Sequence, residues 1–326
     1  MTTNKTINWG IIGLGKIAHK FAEDLATIND ANLYAVASRS QGKVNDFATL
    51  YQAEKAYNSY EALANDTTID AVYIATPHVF HKENTIMCLK KGIAVLCEKP
   101  FAMNLEEVSE MIAIAKTNNT LLMEALWTAF LPHYQHVQSL LRKQHFGKLL
   151  KMEADFGFQP EYDENSRVIK KALGGGSLLD IGIYPIFAAL STLGKPQTIE
   201  ASATFFDNGA DASCNIMFKY QNNVIANLKS TLLEETETLA TFYCEQGIIK
   251  INSRFHEPST VTLLPKNGKE ETLDFGYNTI GYSFETRHFN QLIREGKTQS
   301  NIMSFKFSKT LISTLDSVRQ TINLNY

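Results

Sequence analysis

The short apolar run Ile7-Asn8-Trp9-Gly10-Ile11-Ile12 feeds directly into Gly13-Leu14-Gly15-Lys16-Ile17-Ala18, and a helical pattern continues from Ala18 to Ala26. This feature constrains the fold more than any other in the chain. A G-x-G-x-x-A turn with a strand before it and a helix after it is the arrangement that seats a dinucleotide. Gly13 makes the tight turn, Gly15 lets a pyrophosphate approach the backbone, and Ala18 lets helix and strand pack closely. Lys16 and Ile17 belong to the same turn, at a helix N-terminus suited to an anion. The expectation is an α/β domain of the Rossmann type at the start of the chain.

The next segments extend that domain. Leu33 to Ala37 reads as a second strand, and where an acidic residue would hold the ribose hydroxyls of NAD the chain has Ser38-Arg39-Ser40. No carboxylate stands there to repel a 2′-phosphate, and Arg39 can pair with one bidentately. That chemistry favours NADP, with NAD as the alternative; Arg39 as a plain surface residue, or stacked on adenine, is the competing reading. A helix (Lys43 to Tyr51), a short strand near Ala56 and a helix from Tyr60 come next, with Ser59 and Asp66 as caps or turns. Ala71-Val72-Tyr73-Ile74-Ala75 is wholly apolar, as a buried parallel strand requires. It ends at Thr76-Pro77-His78, with His81 just beyond. Ligands of open α/β sheets bind beyond the carboxyl ends of the strands, so these residues should border the cofactor or cap the next helix. As zinc ligands, His78 and His81 lack a third partner at metal spacing, and no metal is expected. The helix Lys82 to Lys91 ends at Gly92, and the strand Ile93 to Cys97 delivers Glu98-Lys99-Pro100. An exposed ion pair there would contribute little; the position, at the sheet edge facing the cofactor's reactive end, favours function.

A second constellation lies at Leu173 to Ile186: Leu-Gly-Gly-Gly-Ser-Leu-Leu-Asp-Ile-Gly-Ile-Tyr-Pro-Ile. Three glycines let backbone or ligand come close, and Ser177 is placed to cap the apolar segment after it. Asp180 and Tyr184 are four apart, which on a helix puts both on one face. Buried bare, a carboxylate and a phenol are costly. The plain alternative is a helix N-terminus with Asp180 in its first turns and a satisfied buried tyrosine. Pro185 disfavours helical backbone at the residue before it, so a kink or break is expected at Tyr184.

The chain's 326 residues are long for one core and suggest two domains, divided at 124/125. A net charge of −3 gives no electrostatic footprint for nucleic acid or an anionic membrane. No apolar run approaches membrane-spanning length, and Met-Thr-Thr-Asn-Lys leaves no room for a signal peptide before the first strand. Cys88, Cys97, Cys214 and Cys244 are scattered without metal spacing, as thiols of a reducing compartment. The expected location is cytoplasmic. After the division, Pro132 to Gln144 reads as a helix, Lys148 to Phe158 as a strand, Gln159 to Lys171 as an active-site loop, and Ile186 to Leu193 as a helix. From Thr198 to Phe275 seven short strands alternate with turn signals, the pattern of an antiparallel sheet. Helices Tyr282 to Glu295 and Ser304 to Asn323 close the chain. A broad sheet face without its own helices should find a partner.

Taken together, Gly13-Leu14-Gly15-Lys16-Ile17-Ala18, Ala75-Thr76-Pro77 with His81, Glu98-Lys99-Pro100, and Asp180 with Tyr184 resemble the Gfo/Idh/MocA family of oxidoreductases. Within it, Glu124 to Thr128, Phe156-Gly157-Phe158, Arg167 and Gly174 to Tyr184 are similar to the branch of dimeric dihydrodiol dehydrogenases. The resemblance implies a Rossmann N-terminal domain, then an α+β domain on a large, mostly antiparallel open sheet that commonly forms a homodimer or homotetramer interface. It also implies hydride transfer between nicotinamide and a secondary alcohol of a sugar, polyol or cyclic trans-diol. Glu98, Lys99, Trp127 and Arg167 are then expected to bind the cofactor. Tyr184 is expected as general acid/base, with Lys99 as the cation that favours its phenolate or as the proton relay, and Asp180 as orienting group. Ala129 stands where related sequences often carry Arg, which bears on substrate preference. Trp127, Phe156, Phe158 and Tyr162 suggest aromatic pocket walls, with plain core packing as the alternative. Two rival functions fit the same fold: a glycosidase-type enzyme that keeps NAD bound, and a catalytically silent dinucleotide sensor.

Overall fold

The computed structural model describes residues 5–326; Met1 to Asn4, on which the leaderless reading of the N-terminus rests, lie outside them. The first compact unit runs to Ala129 and also takes in Asn278–Lys309, whereas the sequence suggested a single division at 124/125. Its strands are β1 (Ile7–Ile12), β2 (Ala31–Ala37), β3 (Lys55–Tyr57), β4 (Ala71–Ile74), β5 (Ala94–Glu98) and β6 (Leu122–Ala125). They pair in parallel in the order β3-β2-β1-β4-β5-β6. β4 and β5 are buried at every position, which explains why β4 reads as an unbroken apolar run and β5 is apolar up to Glu98. Helices α1 (Lys16–Leu25), α2 (Gln41–Tyr51), α3 (Tyr60–Ala64), α4 (His81–Leu89) and α5 (Leu105–Thr117) connect them. α1 begins two residues before the expected Ala18, because Gly15 is itself the N-cap and Lys16 opens the helix.

The second unit comprises Phe130–Tyr277 and Thr310–Tyr326. It contains α6 (Pro132–Arg142), β7 (Leu149–Gly157), a π-helical turn (Leu178–Gly182) and α7 (Ile183–Leu193). Then come β8 (Thr198–Phe205), β9 (Asp211–Lys219), β10 (Ile225–Thr231), β11 (Ala240–Cys244), β12 (Gly247–Ile251), β13 (Val261–Pro265) and β14 (Glu271–Leu273). The eight strands are arranged in the order β14-β13-β12-β11-β7-β10-β9-β8. All neighbours are antiparallel except β7 and β10, so the sheet is mixed at its centre. Along β7, Met152, Ala154 and Phe156 point into the core while Lys151, Glu153 and Asp155 point outward, and α7 lies against β7 and β10.

α7 corrects the expected break at Tyr184. The helix runs through Tyr184 and Pro185, because Pro185 falls in its first turn, where the missing N–H would have no partner anyway. The irregularity lies upstream, as the π-turn. The run Lys171–Leu193 is long and apolar enough to cross a membrane, contrary to the reading of the sequence, but 94% of its apolar window is buried in the protein. It is a core helix.

α8 (Tyr282–Arg294) belongs to the first unit, and α9 (Phe305–Thr321) spans the boundary at Lys309. The buried Asp24 of α1 caps α8, accepting from the backbone N–H groups of Ile280 (2.9 Å), Gly281 (2.8 Å) and Ser283 (2.9 Å). Trp9 of β1 donates its indole N–H to Asn290 Oδ1 at 3.1 Å and packs on Phe289.

Candidate active site

The expected site residues fall into two groups, one on each unit. On the first, Gly13 has φ of +90°, and a Cβ there would come within 2.8 Å of the Ala75 and Thr76 backbone. Its N–H donates to Ala37 O at 3.2 Å, and Ala75 N–H donates to Ile12 O at 2.8 Å. The ends of β1, β2 and β4 therefore meet at one residue that only glycine fits. Gly15 is the opposite case, since a Cβ there would meet nothing within 4 Å. The turn leaves an open cradle before Lys16 and Ile17, and no side chain caps α1. These residues fit a dinucleotide pyrophosphate.

Ser38 and Arg39 stand at the carboxyl end of β2. Arg39 is exposed but not loose, since its guanidinium sits 5.6 Å from the centre of the Phe80 ring. Thr76 is buried, and its carbonyl accepts from His81 Nε2 at 2.9 Å. The other ring nitrogen, Nδ1, lies 2.8 Å from Pro100 O. His81 is thus a buried brace between the β4 and β5 loops, and His78 packs beside it at 5.7 Å. Among the described residues no group of three or more His, Cys, Asp or Glu side chains could hold a metal ion.

At the end of β5, Glu98 is buried rather than part of an exposed pair. Its Oε1 accepts from the Tyr73 hydroxyl and its Oε2 from Lys99 N–H at 3.1 Å. Burial, then the charge of Glu98, holds the Tyr73 phenol well above its ordinary range. Lys99 is half-buried, and its peptide to Pro100 is cis. Behind it, Glu124 accepts from Phe101 N–H at 3.1 Å and is pushed by burial up to about 7. Burial, then Glu98 and Asp24, keeps Glu285 well above the carboxylate range. Trp127 stacks on Tyr282 at 4.4 Å.

On the second unit, the glycine-rich stretch and the π-turn place Asp180 and Tyr184. Arg167 forks onto Asp180, with Nη1 to Oδ1 at 3.1 Å and Nη2 to Oδ2 at 3.4 Å. The expected cap, Ser177, does not cap: its hydroxyl donates to Asp211 Oδ2 at 2.7 Å. Asp211, reaching over from β9, is the true cap and accepts from Leu178 N–H at 2.6 Å. Burial raises Asp211 to about 6 against these hydrogen bonds. Gly176 has φ of +130°, and a Cβ there would come within 2.2 Å of Asp211 Oδ1.

Tyr184 is 6% exposed. Its ring packs 5.8 Å from Phe156 and 4.7 Å from His256. Phe158 lies 6.3 Å from Phe156, while Tyr162 is 52% exposed and packs on Phe206 instead. Sequence reasoning missed His256 and Asp211. Each lies in or beside a strand with no motif around it, and only the adjacent His256-Glu257 pair was a visible signal. One concavity, of about 580 Å³, lies on the outer face of the sheet. It is lined by Glu153, Asn227, Asn215 and neighbours but by no site residue, and we assign it no chemistry.

A glycine turn with an open cradle on a 3-2-1-4-5-6 parallel sheet, joined to a unit bearing an oriented phenol and carboxylate, defines a nicotinamide-dependent oxidoreductase of two units. The chain belongs to the GFO/IDH/MocA family. Residues 7–126 match the profile "Oxidoreductase family, NAD-binding Rossmann fold", and residues 134–250 match the "GFO/IDH/MocA C-terminal domain". It is 35% identical to the trans-1,2-dihydrobenzene-1,2-diol dehydrogenase of Xenopus tropicalis, over 98% of each chain. It is 32% identical to the scyllo-inositol 2-dehydrogenase (NADP(+)) of Bacillus subtilis (strain 168), again over 98% of each. A 3-ketoreductase from Actinomadura kijaniata, solved with NADP and TDP-benzene, superposes with a TM-score of 0.87 at 26% identity over 98% of both chains.

Proposed function

We propose that this enzyme transfers hydride between NADP and a secondary alcohol of a sugar, polyol or cyclic trans-diol, with Tyr184 as the proton carrier. The observation that supports this most is the buried Tyr184 phenol, packed against Phe156 and His256 on a run fixed by Asp211 and by the Arg167–Asp180 fork. NADP, held by the cradle of residues 13–17 and by Arg39, would supply the acceptor for the carbinol hydride in the oxidation direction. Tyr184 takes the hydroxyl proton, and the C–O bond becomes a carbonyl. A free tyrosine has a pKa near 10, so the phenolate needs a cation to favour it. Lys99 is the residue proposed for that charge, and the second candidate for the proton itself. Asp180, held by Arg167, is proposed to orient the reacting hydroxyl, beside pocket walls that include Phe156. Two relatives support the substrate class, one a diol dehydrogenase and one an inositol dehydrogenase.

NADP is preferred because Ser38-Arg39-Ser40 offers a guanidinium and no carboxylate, and because the inositol dehydrogenase and the 3-ketoreductase are described with NADP. Arg39→Ala should weaken NADPH binding by about 10- to 100-fold, the value of a lost charge-assisted pair. NADH affinity should hardly move. Fluorescence titration of both cofactors checks this; equal wild-type affinities would contradict the assignment. A protein that retains its cofactor through purification and reduces none would instead fit the glycosidase-type rival.

The chain is further proposed to form a homodimer or homotetramer through the outer face of its sheet, where Met217, Tyr243 and Ile248 stand only half-covered among polar neighbours. Sedimentation equilibrium should give a multiple of the 36.5 kDa chain mass; a single-chain mass at all concentrations would count against it. A cytoplasmic location is proposed from the thiols: all four cysteines are free, and three are buried.

A further inference from the structure

We infer that His256, held by Glu257 and Arg254, is a positioning residue for Tyr184, an inference that rests on the proton-carrier role proposed above. His256 lies in the loop between β12 and β13, which is long for a connection between adjacent antiparallel strands. The loop is fixed at many points. Asn252 N–H donates to Thr260 O at 3.0 Å, and its side-chain amide donates to Thr260 Oγ1 (2.8 Å) and Thr262 Oγ1 (2.9 Å). Ser259 Oγ donates to the carbonyls of Asn252 (3.1 Å) and Ser253 (3.0 Å). Phe255 N–H donates to Thr238 O at 3.0 Å, and Phe255 O accepts from His133 Nε2 at 3.0 Å. His133 Nδ1 in turn accepts from the Tyr277 hydroxyl at 2.5 Å. Arg254 holds φ of +61°, a left-handed backbone that a non-glycine residue adopts only where its surroundings enforce it.

This loop presents one side chain to the Tyr184 wall. His256 is 4% exposed, and its ring packs 4.2 Å from Phe156 and 4.7 Å from Tyr184. Its Nε2 lies 3.3 Å from Glu257 Oε1, and the Arg254 guanidinium pairs with the same oxygen. Burial pushes the Glu257 carboxyl up, but the bonds from His256 and Arg254 outweigh it and hold it at about 2. A carboxylate ionised across the working range fixes the tautomer and the plane of the imidazole it faces. The fixed imidazole then fixes the phenol ring beside it. Proton transfer needs that hydroxyl within about 0.5 Å of its productive position. Among the described residues, the titratable or charged groups near His256 on this unit include Glu257 and Arg254 of its own loop, Tyr184 of α7, and His133 of α6. His133 is kept uncharged by burial, at about 4; β7 contributes the Phe156 ring.

A phenylalanine at 256 would fill the same wall, so simple packing and positioning make different predictions. For the alcohol the wild type oxidises, His256→Phe should lower kcat about tenfold or more. It should leave KM within about threefold and NADPH affinity unchanged. Glu257→Gln should lower kcat in the same way by less, again with KM little changed. A wild-type kcat in His256→Phe overturns the inference; if that variant does not fold, a wild-type kcat in Glu257→Gln does so. Failure of the wild type to oxidise any alcohol removes the proposed function and this inference with it. Normal wild-type turnover with unaltered variants removes this inference alone.

Discussion

Tyr184→Phe should retain NADPH affinity within about twofold and lose about a thousandfold in kcat, within the range expected for a general acid/base. The substitution removes one oxygen and keeps the ring, so the packing against Phe156 and His256 survives. Tyr184 lies on α7 of the second unit, whereas the glycine cradle and Arg39 lie on the first. Cofactor binding and proton transfer are therefore expected to separate cleanly in this variant. KM for the alcohol should change far less than kcat, because the phenol acts in the transition state more than in ground-state binding. Steady-state kinetics beside a fluorescence titration measures both. Turnover within tenfold of wild type would remove Tyr184 from the role and leave Lys99 as the proton carrier.

The second large effect is on stability. Gly176→Ala should destabilise the protein by about 2–4 kcal/mol, summing the left-handed backbone cost of a non-glycine residue and the displacement of a packed group. The added methyl would sit 2.2 Å from Asp211 Oδ1, the carboxyl that caps the π-turn through Leu178 N–H. Asp211 also holds Ser177 and is itself buried, so it has little room to withdraw. A fall in Tm of roughly 5–15 °C is expected for a unit of this size. Activity should fall further than the folded fraction, since Asp180 and Tyr184 come directly after it on the same run. An unchanged melting curve would mean that the cap is not what fixes this stretch.

The range of the forces involved decides which features were legible in the sequence. The β1–Gly13–α1 turn was legible because strand, turn and helix are contiguous and only glycine satisfies the backbone at Gly13. β4 and β5 were legible because burial on both faces leaves no charged position before Glu98. Ser177 was misassigned as a cap because local chemistry suggests it, whereas the actual cap, Asp211, comes from a strand 34 residues on. Pro185 suggested a break because its effect on the preceding residue is local; its harmless place in the first turn depends on the π-turn before it. The return of α8 to the first unit rests on Asp24 meeting Ile280 across 256 residues, and His256 meets Tyr184 only through tertiary packing. A single sequence carries no signal for either contact.

The most direct test of the central claim monitors the near-ultraviolet absorbance of reduced nicotinamide. The purified protein would be given NADP or NAD with trans-1,2-dihydrobenzene-1,2-diol, scyllo-inositol and an aldopyranose. The account predicts net reduction with at least one of these alcohols, faster with NADP than with NAD, and abolished in Tyr184→Phe. No net reduction with any of them, in a protein that binds NADPH, would contradict it.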